Sequence, residues 1–163
     1  METLLALKTR RSIRSYRNEP VPRDLIEQVV DAGRHAASGN NVQPWEFVVV
    51  SDRPLREKRA SLVPNGKHIA SAPVCIAVLC ADGKHYLEDG AAATQNMLVA
   101  AHALGLGACW IAGDRKPYAD GVRKLLEAPA TFKLVSLVTV GYPAEQPTVT
   151  KRPLTEVLHW DRF

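Results

Sequence analysis

The sequence predicts a domain in which helices and strands intermix, of the α/β or α+β class. Three apolar runs rich in β-branched residues, at 45–50, 74–81 and 134–140, have the composition of strands. The run at 74–81 is apolar at nearly every position, which is typical of a strand buried on both faces. Between these runs, apolar residues recur at helical spacing, and the alternation of the two patterns indicates the mixed class.

The predicted elements follow one another without an internal repeat or a linker. A helix over 22–37 begins at Pro22, a residue favoured in the first turn, and carries an apolar stripe over 25–30. The Ala-rich helix over 86–104 is apolar around much of its circumference, so we expect it to be central and buried. The remaining predicted elements are helices at 2–8, 54–62 and 118–127, a strand at 108–112, turns at 38–41 and 64–66, and a short helix or turn at 154–158.

The chain has 163 residues, which is the length of one domain, so we expect residues 1–163 to form a single unit. Residues 143–163 differ from the rest because they contain three prolines and little core-forming pattern. This stretch is neither charged enough nor simple enough for disorder. We therefore expect a C-terminal arm that wraps a partner subunit.

Composition excludes several classes of protein. No apolar run approaches the ~20 residues that a membrane helix needs, and no secretion signal is visible. Cys75, Cys80 and Cys109 form neither a CxxC pair nor a disulfide framework, so we expect a cytoplasmic protein. The net charge of +4 is too small to imply a nucleic-acid coat by itself.

The strongest charge feature lies near the N-terminus, where five cations fall within ten residues around Ser12. These cations are Lys8, Arg10, Arg11, Arg14 and Arg17. Most basic runs are solvated faces, and this remains one interpretation. The guanidinium fork also suits a phosphate group, so a phosphate site is the second interpretation. Nucleic-acid binding is a third, although the segment has neither interleaved aromatic residues nor a known binding motif.

A second polar segment is the Ser38-Gly39-Asn40-Asn41-Val42-Gln43 loop. Its residues are turn formers, so a simple connection between helix and strand explains them. Alternatively, Asn41 and Gln43 offer paired donors and acceptors that suit the edge of a heteroaromatic ring, and Gly39 permits a close backbone approach. The sequence has no dinucleotide fingerprint, phosphate-binding P-loop, HExxH motif or nucleophile elbow. We expect no metal site and no catalytic protein nucleophile.

Four segments in order resemble the flavin-dependent nitroreductase family. They are RRSIRSY at 10–16, SGNNVQPWEF at 38–47, the stretch from DGAA at 89 through GLGACW ending at 110, and GYP at 141–143 followed by KRPL at 151–154. Each motif alone is weak, but all four in family order cover nearly the whole chain and are specific.

The resemblance implies a homodimer of α+β fold, with a mixed sheet flanked by helices, a long central helix and an extended C-terminal arm. It implies one FMN held noncovalently at each of two sites between the subunits. The implied phosphate and ribityl ligands are Arg10, Arg11, Ser12 and Arg14, with Lys151 and Arg152 as a second phosphate clamp. The implied ring contacts are Ile111, Ala112 and Gly113, the pyrimidine contact Asn65, and, from the other subunit, Ser38, Gly39, Asn41 and Gln43.

The resemblance further implies an oxidoreductase that uses NADH or NADPH to reduce nitroaromatic, quinone or related small acceptors by a ping-pong mechanism. A flavin-binding sensor or carrier without efficient turnover is the alternative function. The chain departs from the family pattern at Ala112, where many members have an acidic residue, so only a backbone role carries over there. It is also short between Trp110 and Lys133, with room for little more than one helix, which predicts an open site.

Overall fold

A computed structural model describes residues 1–64 and 66–163. The helices are α1 (Thr3–Thr9), α2 (Arg23–Arg34), α3 (Arg53–Leu62), α4 (Lys67–Ser71), α5 (Tyr86–Ala103) and α6 (Ala119–Leu125). The strands are β1 (Trp45–Val50), β2 (Val74–Ala81), β3 (Gly107–Ala112) and β4 (Phe132–Gly141). This content confirms the predicted α+β class.

The four strands form one sheet in the order β1-β2-β4-β3, and each neighbouring pair is antiparallel. Parallel pairing within the described residues is confined to the isolated bridge between Ser12 and Ala108. The four-strand sheet is therefore antiparallel throughout, and the predicted mixed pairing is limited to that bridge, which lies outside the named strands. The order leaves β1 and β3 as the two edge strands.

The sheet is covered on both faces, as the apolar run of β2 predicts. Ile76 and Val78 of β2 face the cluster beneath α2 and α5, while Ala77 and Leu79 face the cluster beneath α3, α4 and α6. Side chains alternate between the faces of a strand, so a strand covered on both sides is apolar throughout. Residue Leu79 is 1% exposed, and β2 is one of the two interior strands of the sheet.

Small residues of helix α5 face the sheet and allow close contact with it. A Cβ atom added at Gly90 would lie 2.7 Å from Val135 and 2.9 Å from the Cys80 sulfur. One turn later, the Thr94 hydroxyl lies 2.7 Å from the Ser136 hydroxyl, so the buried polar groups satisfy each other. The Ala-rich composition of α5 thus serves close packing.

The N-terminal segment after α1 is fixed to the β3 side of the sheet. The Ile13 amide donates to the Ala108 carbonyl at 3.0 Å. The largely buried hydroxyl of Tyr16 lies 2.5 Å from the Ile13 carbonyl and 2.7 Å from the Thr139 hydroxyl. Burial raises the pKa of Tyr16, so this hydroxyl stays protonated and braces the segment.

Several boundaries differ from the sequence predictions. Strand β4 begins at Phe132, two residues earlier than predicted, and α2 ends at Arg34 rather than near residue 37. Helix α4 was not predicted, because five residues after Gly66 are too few to show a helical period. The C-terminal arm, residues 143–163, contains one 3-10 turn at Leu154–Glu156 and exposes Trp160 and Phe163. Among the described residues, no helix has both the length and the apolarity to cross a membrane.

Candidate functional site

The arginine segment begins directly after α1, and its members have different local roles. The Arg11 side chain donates to the backbone carbonyls of Lys8, Arg10 and Val149 at 2.7 to 2.9 Å. Those bonds fix Arg11 between the N-terminal segment and the C-terminal arm. Arg11 is therefore placed as a brace, with part of its hydrogen-bonding capacity already used.

Arg10 is different, because its Nη1 atom is buried and has no hydrogen-bond partner among the described residues. A buried donor on a charged guanidinium without a partner costs free energy. Such a cost is offset when an anion accepts the free hydrogen bond. The geometry of Arg10 thus matches the anion site that the charge cluster predicts.

Ser12, Arg14 and Cys109 lie together at the start of β3. Ser12 forms the parallel bridge with Ala108, the residue before Cys109. Burial raises the pKa of the Cys109 thiol, while Arg14, Ser12 and Arg10 oppose that shift. The thiol therefore stays neutral, and Cys109 packs rather than acts as a nucleophile.

Glu145 at the start of the arm clamps this segment. Its Oε1 accepts from the Arg14 amide at 2.5 Å and from the Ser15 amide at 2.9 Å. These hydrogen bonds lower the pKa of Glu145. His68 of α4 lies near both Arg14 and Glu145, and its buried Nε2 has no partner among the described residues. Burial, and then Arg14, lowers the pKa of His68.

The Ser38–Gln43 loop is structured by its own residues. The Gly39 amide donates to Asp89 Oδ1 at 2.9 Å, and the Gln43 amide donates to the Ser38 hydroxyl at 3.0 Å. Asn41 and Gln43 have φ values of 55° and 52°, in the left-handed region that asparagine tolerates better than most residues. A Cβ atom at Gly39 would lie 2.9 Å from the His85 ring, so a larger residue there would displace that exposed ring.

The structure separates this loop from the arginine segment within one chain. Gly39 bonds to Asp89 in the first turn of α5, whereas Thr9 lies 2.8 Å from His102 in its last turn. The two α5 residues are thirteen positions apart, which corresponds to about 20 Å along a helix axis. The two predicted sets of ligands are thus at opposite ends of α5.

The third predicted group, at 111–113, lies at the far end of β3 from Ser12. Ile111 is half-buried and Ala112 is exposed, so the edge of the strand is accessible here. The Gly113 amide donates to Val135 at 2.9 Å, and the Tyr118 hydroxyl donates to the Ala112 carbonyl. The structure therefore brings this group and the arginine segment to the same edge strand.

Two predicted residues of the arm are exposed. Arg152 pairs with Glu156 at 3.3 Å, and Lys151 precedes it. The Val149 carbonyl, two residues before Lys151, accepts a hydrogen bond from the Arg11 side chain, so the arm passes close to the arginine segment. Asn65 lies outside the described residues.

Sequence reasoning missed three positioning residues: Tyr16, Glu145 and Asp89. Each acts through a contact that spans 50 or more positions in the chain. Glu145 and Asp89 lie within or next to motifs, but no local pattern identifies their partners. No group of three or more acidic, histidine or cysteine side chains suited to a metal was found in residues 1–64 and 66–163.

The sequence profile of the nitroreductase family matches residues 7–142, which is most of the chain. The chain belongs to the nitroreductase family. This membership confirms the resemblance on which the site residues were predicted. The profile includes the arginine segment, the Ser38–Gln43 loop and β3.

Relatives in the nitroreductase family match along almost the whole chain. A protein of Methanothermobacter thermautotrophicus, whose provisional name pairs NADH dehydrogenase with NAD(P)H nitroreductase, is 39% identical over 90% of this chain and 80% of its own length. The oxygen-insensitive NADPH nitroreductase of Salmonella typhimurium is 31% identical over 99% of this chain and 74% of its own length. A protein of Desulfovibrio desulfuricans, solved as a complex with FMN, is 34% identical with a TM-score of 0.89, covering 100% of this chain and 98% of that chain.

Proposed function

We propose that this member of the nitroreductase family is an FMN-dependent oxidoreductase that uses NADH or NADPH to reduce nitroaromatic, quinone or related small acceptors. The observation that carries the proposal is the buried Nη1 of Arg10, which has no partner in the described part of the chain, in a basic segment held against the same edge strand as residues 111–113. A phosphate at Arg10 and a ring at 111–113 fit the two ends of one flavin nucleotide. The family relatives that use NADPH or contain FMN support this assignment.

Arg10, Ser12 and Arg14 would bind the phosphate and the ribityl chain. Arg10 supplies the free donor, and Ser12 supplies a hydroxyl held in place by its bridge to Ala108. Arg11 would contribute charge and would hold the arm through Val149. Lys151 and Arg152 would close over the phosphate from the arm, with Arg152 giving up its exposed pairing with Glu156. Surface pairs of this kind are weak, so the exchange costs little.

Residues 111–113 would lie along the ring. Strand β3 is at the edge of the sheet, with β4 on one side only. Of the backbone N–H groups of Ile111 and Ala112, one therefore points towards β4 and the other points outward. An outward N–H is a fixed donor for a ring nitrogen, and this role needs no acidic side chain at 112. When bound, FMN supplies the ring system that takes two electrons from NAD(P)H and passes them on.

A second copy of the chain would complete each site. The Ser38–Gln43 loop bonds to the first turn of α5, whereas the arginine segment lies at its last turn, about 20 Å away along the helix axis, and this separation supports a contribution of the loop from a second copy. A two-fold symmetric dimer places the loop of one subunit at the arginine segment of the other. The arm, with Leu154, Val157 and Trp160 exposed, provides apolar surface to bury against the partner. We infer one domain over 1–163, with the arm at 143–163 completing the dimer.

The nucleotide and the acceptor would occupy the same space in turn, which is the basis of a ping-pong mechanism. Between β3 and β4 the structure has a single helix, α6, so little protein is available to cover the ring. We place the protein in the cytoplasm because its three cysteines are buried free thiols.

A visible absorption spectrum of the purified protein, followed by anaerobic addition of NADH or NADPH, tests the proposal. We expect flavin absorption bands at about 370 and 450 nm that bleach on addition of the nucleotide. Bands that persist with both nucleotides would instead indicate a flavin-binding module without turnover. A colourless protein that fails to take up added FMN would contradict the proposal.

A further inference from the structure

A cleft of ≈540 Å³ opens between the end of α3 and the turn that leads into α6. Its walls are mainly apolar or aliphatic, with one aromatic ring. The lining residues are Leu62, Val63, Pro64, Lys116, Pro117, Tyr118 and Gly121. This volume is within the range of small-molecule sites.

The cleft is attached directly to the ring segment at 111–113. The Tyr118 hydroxyl donates to the Ala112 carbonyl, and the Lys116 amide donates to the Gly113 carbonyl at 3.3 Å. One wall of the cleft is therefore fixed to the end of β3. A flavin ring along 111–113 has this cleft beside it.

Lys116 is the charged residue among those that line the cleft. Its side chain is exposed, and it forms no salt bridge in the described part of the chain. Its backbone is fixed on both sides, because the Ala119 amide also donates to the Lys116 carbonyl at 2.9 Å and Pro117 restricts the turn. The backbone from which the Lys116 side chain extends is thus held at the edge of the apolar cleft, and its ammonium group has no acidic partner among the described residues.

We propose that Lys116 is a specificity-determining residue, which favours acceptors whose aromatic or quinoid ring carries a carboxylate. The apolar walls would contact the ring, and Lys116 would pair with the carboxylate in the solvent-exposed opening. This inference rests on the proposed function and names the substrate class of that site. For a nitro acceptor, the group takes two electrons and two protons, one N–O bond breaks, and nitroso compound and water form. NAD(P)H supplies the hydride and becomes NAD(P)⁺, and solvent supplies the second proton.

The test compares 4-nitrobenzoate with neutral 4-nitrobenzyl alcohol as acceptors of the FMN-loaded protein. An exposed ion pair contributes modestly, so Lys116→Gln is expected to raise the KM for 4-nitrobenzoate about two- to five-fold, with kcat and the neutral acceptor unchanged. Lys116→Glu is expected to raise the KM for 4-nitrobenzoate about ten-fold or more, because a like charge now faces the carboxylate. Lys58→Gln on α3 is the matched control, because Lys58 is also exposed and forms no salt bridge with any described residue.

Binding of benzoate, followed by its perturbation of the visible flavin spectrum, gives a readout that does not depend on turnover. Its Kd is expected to rise in parallel with the KM for 4-nitrobenzoate. A Cβ atom at Gly121 would make only ordinary contact with Leu62 at 3.7 Å, so Gly121→Leu introduces a side chain at the cleft wall without a clash at its first carbon. That variant is expected to raise the KM of both acceptors alike.

Three results would overturn the inference. If Lys116→Glu changes the KM of the charged and the neutral acceptor equally, Lys116 does not pair with the carboxylate. If the Lys116 variants raise the KM for NAD(P)H and leave the KM of both acceptors unchanged, Lys116 contacts the nucleotide phosphates instead. If Gly121→Leu leaves the kinetics of both acceptors unchanged, the acceptor binds elsewhere. In all three cases the protein would still be reduced by NAD(P)H, whereas a protein that takes up no FMN overturns the proposed function as well.

Discussion

Neighbouring arginines in one motif have unequal roles at the residue scale. The sequence predicts Arg10 and Arg11 together, because both belong to the same basic cluster. The structure distinguishes them: Arg11 donates to three backbone carbonyls, while the buried Nη1 of Arg10 finds no acceptor in residues 1–64 and 66–163. No local pattern carries this difference, since it depends on where the arm passes at Val149.

Replacing Arg10 with Ala is expected to weaken FMN binding about ten-fold or more, because a charge-assisted hydrogen bond to the phosphate is lost. Riboflavin has no phosphate, so its affinity should change much less. Fluorescence titration of the apoprotein with each flavin measures both affinities. Arg23→Ala is the control, since Arg23 lies on α2 and pairs with Glu27 at the surface. Equal losses for both flavins would show that Arg10 does not bind the phosphate.

The strands were the most predictable part of the molecule at the scale of elements. The bounds of β1 and β2 match the apolar runs at 45–50 and 74–81, because a buried strand must be apolar along its length. Helix α4 was missed because its five residues follow Gly66 without a helical period. The packing of α5 on the sheet could be predicted only in part. The Ala-rich composition of α5 indicates that the helix is buried, but it does not indicate which sheet residue each helix position contacts.

Gly90 tests how closely α5 packs against the sheet. Gly90→Val is expected to lower the free energy of unfolding by about 1–3 kcal/mol, because the new side chain overlaps Val135 and Cys80. Urea denaturation at one fixed FMN concentration measures the change. Gly83→Val is the matched control, since a Cβ atom there meets only the Ala81 carbonyl, at 3.9 Å. Equal stability of the two variants would mean that α5 shifts freely away from the sheet.

At the scale of the whole molecule, the proposed site extends beyond one chain. The sequence order of the motifs predicts which residues take part, but their assignment to two subunits came from the family resemblance. The structure adds a physical reason, because α5 holds the Ser38–Gln43 loop and the arginine segment at its two ends. The separation could not be read from the sequence, since it depends on the contacts of Gly39 with Asp89 and of Thr9 with His102.

Subunit complementation tests the shared site most directly. Arg10→Ala and the double variant Asn41→Ala/Gln43→Ala are each expected to lose FMN as homodimers. Coexpression with different tags allows isolation of the heterodimer, in which one site carries all of the substitutions and the other carries none. We predict that this heterodimer retains about one FMN per two chains, half the wild-type content, and bleaches with NAD(P)H. A heterodimer without FMN, or a wild-type monomer that holds FMN and turns over, would contradict a site shared between two copies of the chain.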